Sequence, residues 1–158
     1  MGLVDVAEGS PFAEHVAGAI GHAVWNPRQG HGSFLTFELG EPRRDSSGHV
    51  HGEWHLWIQM AAWRIEDGAT VLAACEDDRD VVAAALAAVD GRPLTAVTAS
   101  GPALDTVFSF GDVHVRTFTL WSGEADGDAD SWMLFRPDGQ VLTVSPGGVW
   151  TLGPAGVA

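Results

Sequence analysis

Four residues of metal-binding type alternate along one short stretch of the chain: His49, His51, Glu53 and His55. Successive side chains of an extended strand point to opposite faces, so these four are expected to point the same way. Imidazole and carboxylate groups are ligands for Zn²⁺, Fe²⁺, Ni²⁺ and Cu²⁺. The spacing therefore predicts a candidate site for a divalent transition metal, to which His114 from a later predicted strand can contribute.

The His49-x-His51 pair resembles, in part, the opening motif of a cupin. In that motif a glutamate follows after three or four residues, whereas Glu53 follows after one, and Gly52 can interrupt the strand. This interpretation makes the protein a small metal-dependent enzyme in which Glu53 is a ligand or a general base. The alternative is that the first two histidines lie in a solvated loop while His55 packs in the sheet.

Residues 49–65 contain three of the seven tryptophans, which suggests an aromatic pocket. Trp54, Trp57 and Trp63 can line such a pocket, and Gln59 and Arg64 supply polar groups. A pocket of this kind would suit a carrier of a small apolar ligand. The alternative is that the tryptophans form the hydrophobic core, because large aromatic side chains bury much surface.

The elements that must position these residues are mostly strands. Residues 49–65 form the longest run of strand-forming residues, and both of its faces are largely apolar, which predicts one central strand covered on both sides. Asp67-Gly68 predicts a hairpin turn into residues 70–74. Residues 77–90 are expected to form the main helix, after acidic residues that favour its positive end.

The rest of the chain adds short strands separated by turn signals. A short helix is expected after Ser10 and Pro11. Further strands are predicted at residues 23–25, 33–39, 94–99, 104–110, 113–121, 132–135, 140–144 and 149–152. We therefore predict a single α+β domain spanning 1–158, compact over 10–152. Its core is a mostly antiparallel sheet or partial barrel of about eight strands.

The composition limits the classes of function. Eight Lys+Arg against 21 Asp+Glu give a formal charge of −13, which argues against nucleic-acid binding and suits a basic protein partner. A single cysteine allows no internal disulfide, and no apolar run is long enough to span a bilayer, so a cytoplasmic protein is expected. The acidic loop at 124–130 lacks the EF-hand register and is expected to be solvated.

Three segments carry a resemblance to a loose group of small, mostly uncharacterised bacterial domains. They are GHGSFLTFELG (30–40), GEWHLWIQMAAWRIE (52–66) and the ending, in which LDTVFSFGDVHVRTF leads through SWMLFRPDGQVLTV to GGVW. Similar domains occur among immunity proteins of bacterial toxin systems, which bind and neutralise a partner. The resemblance implies the fold and a binding role, and it carries no catalytic residues.

The leading prediction from the sequence is a non-enzymatic, immunity-like protein that binds a protein partner and needs no cofactor. Open sheet edges also allow pairing with a second copy. The alternatives are a metal-dependent, cupin-like enzyme that uses His49, His51 and His55, and the carrier of a small apolar ligand.

Overall fold

A computed structural model describes residues 10–123 and 129–155, which form two antiparallel β-sheets. The eleven strands in this part of the chain are β1 Val24–Gln29, β2 Leu35–Arg44, β3 Val50–Ile58, β4 Ala61–Asp67, β5 Thr70–Ala74, β6 Ala96–Ser100, β7 Asp105–Phe110, β8 Val113–Thr119, β9 Trp132–Phe135, β10 Gln140–Ser145 and β11 Val149–Pro154. The helices are α1 Ala13–Val16, followed by a 3-10 turn at Ala17–Ala19, and α2 Arg79–Val89.

The two sheets pack face to face around an apolar core. One has the strand order β1-β2-β3-β9-β10-β11, and the other has the order β5-β4-β8-β7-β6. Aromatic rings join them: Phe37 of β2 stacks 6.0 Å from Phe110 of β7, and Phe108 of β7 meets Trp132 of β9 edge-on at 5.1 Å. Alternate side chains of the inner strands β3, β4, β7 and β8 point into this core, as expected for strands with one buried face.

Helix α2 covers one side of the sandwich, where it packs against β1 and β5, an edge strand of each sheet. Its buried residues are Val82, Ala85, Leu86 and Val89, the spacing of an amphipathic helix. The predicted main helix at 77–90 is therefore present with slightly shorter bounds, and the predicted N-terminal helix is a single turn, α1. No helix among the described residues is both long and apolar enough to cross a membrane.

The stretch 49–65 is not one central strand, as the sequence predicted, but two strands in different sheets. The chain leaves β3 after Ile58 and enters β4 at Ala61, and the buried parity changes there from even to odd residues. A continuous strand would have left Trp63 on the outer face, whereas the crossover places it in the core with 1 % of its surface exposed. The odd-numbered side chains of β3 are partly exposed on the outer face of the six-stranded sheet, and the candidate site lies there.

The prediction of a mostly antiparallel β-protein is confirmed. The eleven described strands exceed the expected eight, and they form two sheets instead of one sheet or a partial barrel. The predicted strand at 132–135 has the observed bounds of β9. Residues 124–128 of the acidic loop lie outside the described residues.

Candidate metal centre

The candidate site is built on the hairpin of β2 and β3, which carries an irregularity in its pairing. Leu39 pairs with Trp54 and Pro42 pairs with Gly52, so two residues of β2, Gly40 and Glu41, lie opposite one residue of β3. Gly40 has a φ of 81°, the left-handed conformation that glycine adopts without strain. A bulge of this kind bends the strand that contains it and increases its local twist.

Glu38 is the buried carboxylate at the base of the site. It lies on β2 directly opposite His55, and its side chain is 1 % exposed. Its two oxygens are 2.9 Å and 2.8 Å from His55 Nδ1, and the Gly52 N–H donates to Oε1 at 2.8 Å. Burial acts to raise the pKa of Glu38, but the hydrogen bonds from His55 and Gly52 outweigh it and hold the pKa below 4.5. Glu38 is therefore an ionised, buried acceptor.

Two histidines of β3 lie together above this carboxylate. The Cα atoms of residues four apart in a regular strand are separated by about 13 Å. The ring centroids of His51 and His55 nevertheless lie only 4.9 Å apart, so the two side chains lean toward each other. Gly52 permits this path, because a Cβ there would lie 2.5 Å from the Leu39 carbonyl oxygen. Candidate ligand atoms of Glu38, His51 and His55 all lie within 4.8 Å of one another, so the three residues can hold a metal ion. We call them the Glu–His–His group.

His51 has one ring nitrogen that faces this group without a partner. His51 Nδ1 is buried, lies 4.0 Å from Glu38 Oε2, and has no hydrogen-bond partner in the described part of the chain. Buried polar atoms without a partner are costly, and a bound cation would satisfy this one. The nitrogen is therefore in the position expected of a ligand atom.

Asp45 lies behind His51, on the side of the ring that faces away from Glu38. Its Oδ2 lies 3.4 Å from His51 Nε2, on the opposite side of the ring from Nδ1. Its Oδ1 accepts the Ser47 hydroxyl and the N–H groups of Ser47 and His49, and the Ser47 hydroxyl bond is the main reason that the pKa of Asp45 falls to about 2. An ionised carboxylate behind a histidine is a recurrent feature of metal sites, because it orients the ring and raises its basicity.

A surface cavity of about 420 Å³ opens onto this group. His51 and His55 line it, and Phe135 of β9, opposite His55 in the sheet, places its ring 5.7 Å from the His55 ring. The remaining lining residues are Arg43, Gly52, Glu53, Trp57, Arg136, Pro137 and Gly139. We call this space the histidine cavity. Its volume is within the range of about 300–1,000 Å³ typical of small-molecule sites.

Two of the predicted histidine ligands lie outside the Glu–His–His group. His49 is in the exposed turn between β2 and β3, where its Nδ1 is 2.8 Å from the Ser47 hydroxyl. His114 is on β8 of the other sheet, where its Nδ1 is 2.8 Å from the Ser109 hydroxyl. Of the four predicted histidines, the structure therefore brings His51 and His55 together, with Glu38 as the carboxylate beside them.

Glu53 lines the histidine cavity but is not part of the group. Its Oε1 accepts the Glu41 N–H at 2.8 Å across the bulge, and its Oε2 lies 3.5 Å from the Arg43 guanidinium. Both oxygens are therefore engaged. This geometry favours a role in holding the bulge over the predicted role as metal ligand or general base.

The five predicted pocket residues do not form one pocket. Trp54 and Trp63 are buried in the core, and Trp63 donates its N–H to the Ser33 carbonyl. Arg64 lies on the other sheet, 3.2 Å from Glu66, and Gln59 lies in the crossover between the sheets. Trp57 alone of the five lines the histidine cavity. The interpretation of the tryptophans as core is thus correct for Trp54 and Trp63.

Comparisons of the chain with protein-family models, curated proteins and solved structures found no match.

Proposed function

We propose that this protein binds one divalent transition metal ion through Glu38, His51 and His55. The observation that carries the proposal is the buried, unpartnered Nδ1 of His51, which faces an ionised carboxylate and a second imidazole. Two histidines and one carboxylate are a ligand set used by Zn²⁺ and by non-haem Fe²⁺. Three protein ligands leave at least one coordination position for a water or a substrate, and the histidine cavity gives access to it.

Metal binding would replace the hydrogen bond that joins His55 to Glu38. His55 would carry its proton on Nε2 instead of Nδ1, so that His55 Nδ1 and the Glu38 carboxylate would both become ligands, because a histidine must be deprotonated at the nitrogen that binds. His51 needs less rearrangement, since its Nδ1 has no partner to exchange. Asp45 would then accept a hydrogen bond from the N–H at His51 Nε2. This bond would favour the tautomer in which His51 Nδ1 is the ligand.

The test is a zinc titration of untagged, chelator-free protein by calorimetry, with the metal content of the dialysed product measured by elemental analysis. We expect one ion per chain in the wild type and a loss of affinity of at least about 10-fold in His51→Ala. His49→Ala is the matched control, because it removes an exposed histidine of the same hairpin and should bind like the wild type. Equal affinities in the wild type and His51→Ala would contradict the proposal.

A second candidate function is protein binding, the role implied by the resemblance to immunity proteins. Leu120, Trp121 and Val149 are 50 %, 38 % and 52 % exposed, on segments that approach each other where Gly147 meets Gly123. Exposed aromatic and aliphatic side chains beside one another favour a contact surface, and the charge of −13 would suit a basic partner.

This second candidate is tested by the substitution Trp121→Ser. A partner that co-purifies with the wild type should be lost from this variant and retained by Val71→Ser, which changes a valine that is 58 % exposed on β5. Retention of the partner by both variants would place the contact elsewhere.

A further inference from the structure

The walls of the histidine cavity differ in character, and this difference identifies a class of ligand. Trp57, Phe135 and Pro137 form an apolar side, while two arginines, Arg43 and Arg136, lie on the lining as well. The chain has no lysine, and its eight basic residues are all arginine, so two of the eight line this one cavity. Glu53 lines the cavity as well and lies 3.5 Å from the Arg43 guanidinium, so the two arginines are accompanied there by one carboxylate.

The two arginines are not equivalent. Arg136 is engaged: it forms an ion pair with Asp138 at 2.8 Å, donates to the His15 carbonyl at 2.9 Å, and lies over the Trp54 ring at 5.8 Å. Arg43 has one charged neighbour, Glu53 at 3.5 Å, and makes no side-chain hydrogen bond to any described residue. Its side chain is 55 % exposed. The donors of its guanidinium are therefore available to a ligand in the cavity.

A guanidinium presents two parallel N–H groups whose geometry matches a carboxylate. The Glu–His–His group lies on the same cavity, and a metal held there would attract the same negative charge. The aromatic faces of Trp57 and Phe135 would in turn contact an apolar ring. One small molecule that satisfies all three walls is an organic acid with a carboxylate at one end and a ring at the other.

We propose that the histidine cavity binds a small ring-bearing carboxylic acid, with the carboxylate between Arg43 and the metal and the ring on Trp57 and Phe135. This inference rests on the proposed metal site, because the metal supplies part of the positive charge that holds the carboxylate. Selection of the acid over its neutral amide follows from that charge, and selection of a ring over a short chain follows from the aromatic wall.

The experiment uses zinc-loaded protein titrated with phenylacetate and, in parallel, with phenylacetamide, which has the same ring and no charge. We expect phenylacetate to bind at least about 10-fold more tightly than the amide, since hydrogen bonds between charged groups are stronger than those to a neutral amide. Arg43→Gln should retain zinc and show a smaller preference, because only the metal then attracts the carboxylate. Arg44→Gln is the control, because Arg44 donates to the Gly48 carbonyl and is not part of the cavity lining.

The zinc content of each protein, measured first, separates the two proposals. Zinc bound with equal affinities for acid and amide would overturn the ligand assignment and leave the metal site standing. An acid preference in Arg43→Gln as large as that of the wild type would also overturn the assignment. A wild type that binds no zinc would overturn both. Acetate, which lacks the ring, should bind more weakly than phenylacetate, and equal binding would contradict the role of Trp57 and Phe135.

Discussion

Each sheet has a glutamate on its outer face, and the two carboxylates are held by different kinds of partner. Glu38 in the six-stranded sheet is held by His55 and a backbone N–H, whereas Glu66 in the five-stranded sheet is held by Arg64 at 3.2 Å and Arg116 at 2.7 Å. Both carboxylates have a pKa below 4.5; for Glu66 the hydrogen bond from Arg116 is the main cause. Their charge states agree, and their partners differ.

The difference decides which group can bind a metal. Arginine stays protonated in proteins and has no lone pair to offer, so the partners of Glu66 occupy both of its oxygens permanently. Histidine can lose the proton on one ring nitrogen and bind a metal through it, so His55 can change from a hydrogen-bond donor to Glu38 into a ligand of the same ion. A closed ion pair and a candidate metal centre thus differ in the side chains around one carboxylate, and not in the carboxylate.

The largest expected effect that separates the two groups comes from removing each charge in turn. Glu38→Gln keeps the shape of the side chain but removes an anionic ligand. We expect zinc affinity to fall by on the order of 100-fold or more, because losing a residue that only hydrogen-bonds to a ligand already costs about 10–100-fold. Glu66→Gln should leave zinc affinity unchanged. Calorimetric titration of both variants checks this, and a similar loss in both would remove the distinction.

The backbone beneath Glu38 gives the next effect. A Cβ at Gly52 would lie 2.5 Å and 2.6 Å from backbone atoms of Leu39, so Gly52→Ala must distort the hairpin. We expect a loss of about 1–3 kcal/mol in the free energy of unfolding, the usual cost of overpacking, and weaker zinc binding. Urea denaturation measures the first quantity.

Gly30→Ala is the control for this substitution, because a Cβ there meets its nearest neighbour, Phe34 Cβ, at an ordinary 3.9 Å. If the two alanine variants were equally stable, the hairpin would not depend on the absence of a side chain at Gly52.

A smaller effect should come from Asp45, which has no counterpart around Glu66. Asp45→Asn removes the negative charge behind His51 Nε2. We expect zinc affinity to fall by about 10-fold, the smallest loss usual when a residue that orients a metal ligand is changed. Asp67→Asn, at the end of β4 in the other sheet, is the matched substitution and should have no effect on zinc binding. Zinc affinity that is indifferent to Asp45→Asn would mean that Asp45 does not orient His51.

The sequence predicted the strands well where turn residues separate them and less well where the chain changes sheets. In the last third, Gly111-Asp112 and Asp138-Gly139 sit between predicted strands that the structure confirms as β7, β8, β9 and β10. No such signal stands at Gln59 and Met60, where the chain crosses from one sheet to the other. An apolar stretch without a turn signal looks continuous, although two sheets share it.

The site was predicted in part. His51 and His55 were identified because alternation on a strand is visible in the sequence, and both belong to the Glu–His–His group. Glu38 was missed because its place opposite His55 depends on the register of β2 with β3, and that register depends on the bulge at Gly40. The signal in the sequence is a glutamate inside an otherwise apolar strand, Phe37-Glu38-Leu39, where a charge needs a partner.

The smallest expected effect is one in which the two glutamates should behave alike. Because the pKa of each carboxylate is lower in the folded protein than its ordinary value of 4.5, each contributes stability that is fully present above pH 4.5 and lost as the pH falls below it. Glu38→Gln and Glu66→Gln should each reduce this acid-induced loss, by about 2–4 °C in Tm. Thermal melts between pH 3 and pH 7, in metal-free buffer, check this; a variant with the wild-type pH dependence would contradict the contribution assigned to that carboxylate.

The central claim is that Glu38, His51 and His55 bind one metal ion together, and anomalous diffraction from crystals grown with one equivalent of Zn²⁺ tests it most directly. We predict one peak per chain at the zinc edge, about 2.0–2.2 Å from the Glu38 carboxylate, His51 Nδ1 and an imidazole nitrogen of His55. Zinc found only at other residues, with the Glu38–His55 hydrogen bond intact, would contradict the account.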